Sequence, residues 1–66
     1  MQIRDFVKPE LDYFREMCNF TEDELQYFEL RSKDISNIRI ADILHISESQ
    51  VSKLSKRVKT KIKKVL

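Results

Sequence analysis

The sequence predicts an all-α fold, a small four-helix bundle containing a helix-turn-helix. Three observations lead there. Glycine is absent and Pro9 is the only proline, which removes the residues that tight hairpins use. Three helix starts are signalled in succession by a hydroxyl residue flanked by apolar side chains. Within the helices so marked, apolar residues recur at spacings of three and four, the period of one helical face.

The first helix is announced by Pro9 at a first helical position, with Glu10 and Asp12 in its first turn. Val7, Leu11, Phe14 and Cys18 form one stripe, and Phe6, Tyr13 and Met17 widen it, so this helix could be buried on more than one side or part of it could meet a partner. Asn19 is the expected stop. In the second helix Thr21 is the N-cap and Glu24 completes a capping box, with Phe20 and Leu25 as a hydrophobic staple. Leu25 and Phe28, with Tyr27 and Leu30, are expected to face inward, and the helix to fade over Arg31 to Lys33.

The third helix takes Ser36 as N-cap, staples Ile35 to Ile40, and turns Ile40, Ala41 and Leu44 to the core. It ends at about Leu44. The fourth begins at Ser47, boxed by Gln50 and stapled by Ile46 and Val51. From there Val51, Leu54, Val58, Ile62 and Val65 make an apolar seam running nearly to Leu66. That seam ends in Val65 and Leu66, where two chains could pair as a homodimer.

A chain of 66 residues is one domain at most, near the lower limit for folding alone. Residues 1–19 are read as an extra N-terminal helix and residues 20–66 as the unit that carries the motif. With Cys18 as the only cysteine, no disulfide forms within the chain, and a single thiol suggests a reducing compartment. No apolar run approaches the roughly 20 residues of a membrane span, and MQIRDFVKPEL has no signal-peptide block. A cytoplasmic protein without membrane contact is expected.

The net charge of +2 hides an asymmetry. Met1 to Asp34 holds five Lys/Arg against nine Asp/Glu, a balance of −4, whereas Ile35 to Leu66 holds eight against two, or +6. Seven basic residues and no acidic one lie between Ser52 and Lys64. Such a run suits a polyanionic partner, or else a plain solvated helix face.

Two helices meeting steeply across a short turn need a specific packing pattern. Ala41 is the small residue at the crossing, Ile40 and Leu44 flank it inside, Ile46 plugs the turn, and Val51 and Leu54 return to the same core. His45 falls at the helix exit, where glycine is favoured in a left-handed conformation. Histidine, like Asn and Asp, is enriched among the non-glycine residues that adopt positive φ. It is read as a structural corner, because a lone histidine without nearby ligands makes a poor zinc site.

On a wheel of about 100° per residue, Ser49, Lys53, Lys56 and Thr60 point away from the core, flanked by Gln50, Ser52 and Arg57. Ser49, Gln50, Ser52 and Lys53 are candidates for base edges in a major groove. Lys56 and Arg57 are better placed for phosphates, whose contacts are sequence-blind and salt-sensitive. Ser36 and Asn37, at the start of the third helix, could offer free N–H groups to a further phosphate, with Arg39 close by.

ISESQVSKLSKR resembles the "IS-x-x-QVS-R/K-L-x-K" recognition segment of the fourth conserved region of bacterial RNA polymerase sigma factors. TEDELQYFELRSKDISNIRIADIL resembles the pattern upstream of it, so the likeness covers about Phe20 to Lys64. The LuxR-type helix-turn-helix shares much of the frame, through Ser36, Asn37, Ile40, Ala41, Leu44, Ile46, Ser47, Glu48 and Val51. Ser52 and Leu54 fit the sigma type better. That resemblance implies a last helix that reads a promoter element of the −35 kind through Ser49, Gln50, Lys53 and Arg57. It also implies RNA polymerase as a second partner. The chain departs from the pattern at His45 and Arg39, and contains nothing that resembles the domain with which a full sigma factor melts the −10 element.

The function expected is thus a sequence-specific, DNA-binding transcriptional regulator, phage or bacterial in type, that takes double-stranded DNA as partner. The acidic, aromatic first half supports an alternative, a protein-interaction module such as a small antagonist of RNA polymerase or of a sigma factor. No enzyme and no cofactor are expected, because one His, one Cys and no glycine loop leave little chemistry to assemble.

Overall fold

A computed structural model describes residues 2–66. A short 3-10 turn, Ile3–Asp5, precedes four helices: α1 (Lys8–Met17), α2 (Glu22–Ser32), α3 (Asn37–Leu44) and α4 (Glu48–Val65). No strand occurs among the described residues. The all-α reading of the sequence therefore holds.

The starts of α2, α3 and α4 have the chemistry that the sequence announced. Thr21 Oγ1 accepts the Glu24 N–H at 3.3 Å while Glu24 Oε1 accepts the Thr21 N–H at 3.0 Å. Ser47 and Gln50 exchange the same pair of bonds at 3.2 and 3.3 Å, and Ser36 Oγ accepts the Arg39 N–H at 3.4 Å. These bonds satisfy donors that the first turn leaves free. In α1 Pro9 sits second, after Lys8, and Glu10 accepts the Val7 N–H at 3.0 Å.

The helix ends are built without glycine. Asn19, Asp34 and His45 have φ of 52°, 66° and 57°, the left-handed region in which Asn, Asp and His are the tolerated residues. His45 (ψ 44°) closes α3 as expected. The Ile46 N–H reaches back to the Ala41 carbonyl at 3.0 Å, and Ile35 does the same to Leu30 at 3.2 Å after α2. Both are six-residue closures that cap the last carbonyls.

One cluster forms the core: Ile3, Phe14, Cys18, Tyr27, Phe28, Ile40, Ala41, Val51, Leu54, Val58 and Ile62. Helix α4, about 27 Å long at 1.5 Å per residue, is its spine and packs against α1, α2 and α3. Phe28 is the aromatic centre, with Phe20 at 5.0 Å and Phe14 at 6.5 Å between ring centroids. The Arg15 guanidinium lies 5.6 Å from the same ring and binds Glu29 and Asp12 at 2.5 Å each, which ties α1 to α2.

Several inward assignments are corrected. Val7 is 61% exposed, because it stands outside the helix in extended backbone and so leaves the helical stripe. Ile3, from the 3-10 turn, supplies the buried aliphatic group instead. Tyr13 and Met17 are exposed, so α1 is not buried on a second side and that edge of the helix stays open. Leu25 is exposed as well, about 100° around α2 from its neighbour Glu24.

That place on α2 belongs to Glu24, only 3% exposed. Its carboxylate pairs with Lys61 of α4, whose ammonium also donates to the Asn19 carbonyl at 3.2 Å. Burial pushes the Glu24 pKa up. The hydrogen bond and charge of Lys61, with the bonds at Thr21, outweigh burial and hold it below the ordinary carboxylate range.

Candidate nucleic-acid interface

Every residue singled out for DNA is on the surface: Ser36, Asn37, Arg39, Ser49, Gln50, Ser52, Lys53, Lys56 and Arg57 are all exposed. The cause lies in the seam. Val51, Leu54, Val58 and Ile62 turn one side of α4 inward, so the intervening hydroxyls and cations must face out.

The protein itself already uses some of these groups. Gln50 Oε1 is held by the Ser47 N–H and Ser36 Oγ by the Arg39 N–H, while Asn37 Oδ1 accepts the Tyr27 hydroxyl at 3.0 Å. Gln50 and Asn37 therefore have their amide N–H groups free to donate, and Tyr27 fixes the start of α3 against α2.

Gln50, Lys53 and Arg57 come together on one side of α4, at the rim of a groove of about 300 Å³. Its floor includes Leu44, Ile46 and Leu54, and its far wall is Asp23 and Gln26 of α2. Arg39 is placed elsewhere. It lines a second, open groove with Ile38, Asp42, His45 and Glu48, which contains both acidic residues of the second half. Gln50, Lys53 and Arg57 thus line one groove and Arg39 another. Asp23 and Gln26 had no signal in the sequence, because their nearness to α4 is purely tertiary.

Pairing separates the two halves more sharply than position does. Among the described residues the ion pairs are Arg4–Asp34 at 2.8 Å, Arg15 with Asp12 and Glu29, and Lys61–Glu24. Arg39, Lys53, Lys56, Arg57, Lys59, Lys63 and Lys64 are in none of them. Asp34 is held below its ordinary pKa by the Arg4 hydrogen bond and charge, whereas burial pushes the Cys18 thiol up.

No helix among the described residues is long and apolar enough to cross a membrane. Compared with protein-family models, curated proteins and solved structures, the chain finds no match.

Proposed function

We propose that this chain is a sequence-specific DNA-binding transcriptional regulator of the cytoplasm, with α3 and α4 acting as a helix-turn-helix. The observation that carries the reading is the α4 exterior, where hydroxyls precede unpaired cations on one capped helix. Ser49, Gln50, Ser52 and Lys53 meet base edges, Lys56 and Arg57 meet phosphates, and Ser36, Asn37 and Arg39 steady the backbone nearby. The sigma-like resemblance adds RNA polymerase as a second partner. No catalytic step or cofactor enters.

Selection of bound duplexes from a random pool, followed by titration at several salt concentrations, tests the reading. A preferred site with a steep salt dependence is expected. Absence of binding at low salt would end it, and equal affinity for all duplexes would reduce it to a non-specific binder.

The second reading is a protein-interaction module that antagonises RNA polymerase or a sigma factor. Exposed Tyr13 and Met17 on the acidic first half favour it. Recovery of polymerase subunits by a protein without DNA affinity would select it.

A further inference from the structure

The DNA reading leaves α1 without a role, although α1 carries exposed apolar surface that a small chain has little reason to spare. Tyr13 and Met17, one turn apart, are 46% and 51% exposed. The Tyr13 hydroxyl donates to the Val65 carbonyl at 3.4 Å. This bond sets the apolar edge of α1 beside the end of α4, where Leu66 is also exposed.

The charges on the two elements have opposite signs. Glu16, exposed on α1, has no ion partner among the described residues, and neither do Lys63 and Lys64 of α4. A rim of one sign would fit a partner of the other sign. A rim with acid on one element and base on the other fits itself, because a two-fold rotation brings each charge against its opposite. An apolar centre with a polar rim is also the ordinary anatomy of such a contact.

We propose that the outer edge of α1 and the end of α4 form a two-fold interface that pairs two copies of this chain. Tyr13, Met17 and Leu66 are its centre, and Glu16 of each copy faces Lys63 and Lys64 of the other. A standard interface covers about 800 Å² per partner, roughly a sixth of the 4629 Å² this chain exposes. The apolar centre is small, so the dimer is weak, dissociating at micromolar concentration. Pairing would also stabilise a chain whose own core is small. One consequence rests on the proposed function: a dimer reads two half-sites, about 34–36 Å or a multiple apart.

Sedimentation equilibrium of the full chain without DNA, over about 5 to 500 micromolar, tests the pairing. The wild type is expected to pass from monomer to dimer across that range. Met17→Glu and Leu66→Glu each weaken the dimer about tenfold or more, and Glu16→Lys weakens it in a salt-dependent way. All three sites are exposed, and a helical spectrum with a cooperative melt, matching the wild type at about 5 micromolar where both are monomers, confirms that each variant is folded. Lys53→Ala, which should weaken binding to a preferred DNA site, leaves the dimer intact, so the pairing and the DNA reading fail separately. A wild type that stays monomeric throughout, or a dimer that survives both apolar substitutions, overturns the proposal.

Discussion

The two halves of the chain carry opposite charge and use it differently. In the first half two of five cations, Arg4 and Arg15, are in ion pairs among the described residues, and Arg31 donates to the Ile35 carbonyl at 2.8 Å. In the second half, among the described residues, Lys61 alone of eight cations is paired. Charges that tie elements together contribute to folding. Charges left free on one helix face contribute nothing to the fold and keep their full attraction for a partner. The difference teaches where to look for stability and where to look for binding.

The hardest blow to this division falls on the first half. Phe28→Ala removes a fully buried ring and is expected to cost about 3–5 kcal/mol. That is comparable with the roughly 3–10 kcal/mol a domain of this size has in total. Urea unfolding should find the variant largely unfolded in buffer, and a near-native midpoint would deny Phe28 its central place.

Next comes the one ion pair among the described residues that crosses the division, Lys61–Glu24. Lys61→Ala leaves the Glu24 carboxylate buried without its partner, a change worth about 3–5 kcal/mol when both ions are buried. The Lys61 side chain is 30% exposed, so a loss of about 3 kcal/mol or somewhat less is expected. The same pair governs acid stability. Because the folded pKa of Glu24 is lowered, its contribution is present above the unfolded value and lost as pH falls through the folded one. Glu24→Gln should therefore be less stable at neutral pH and should lose less stability between about pH 5 and pH 2. Parallel pH profiles for variant and wild type would break this account.

On the second half the effects should move from stability to binding. Lys53→Ala is expected to weaken a preferred duplex by about 1–3 kcal/mol while altering the unfolding free energy by no more than about 0.5 kcal/mol. Lys56→Ala should weaken all duplexes alike and reduce the salt slope by about 1. A variant that lost stability and binding together would show that the α4 exterior is not the separate surface described.

The smallest effect is expected at the α3 corner. His45→Gly relieves the left-handed backbone, worth about 1–2 kcal/mol, but loosens the unfolded chain by about 0.4–1 kcal/mol. A net gain between about zero and 1.6 kcal/mol is expected, visible as a rise of up to several degrees in Tm.

Local chemistry was the legible part of the sequence. Thr21, Ser36 and Ser47 marked the helix starts, His45 marked a corner, and the seam from Val51 to Ile62 turned inward as its spacing required. What could not be read was set by distant residues. Glu24 is buried because Lys61 lies 37 positions away, and nothing near Glu24 in sequence predicts that. Periodicity also misleads at Val7, which stands outside the helix in extended backbone, and at Leu25, because it counts apolar residues but does not say where a helix starts or which neighbour covers it. The exposure of the candidate residues on α4 was legible from the seam. The groove wall at Asp23 and Gln26, and the separate placement of Arg39, were not.

The left-handed corners at Asn19, Asp34 and His45 also say something about chirality. At these three positions the backbone has the dihedral angles that a mirror-image amino acid prefers. Glycine tolerates such a bend by lacking a side chain, whereas a D-residue would favour it and keep the unfolded chain stiff. A synthetic chain with D-His at position 45 should therefore exceed the glycine variant in stability. In this glycine-free protein the mismatch at each corner is one of handedness, and neither size nor polarity is at fault.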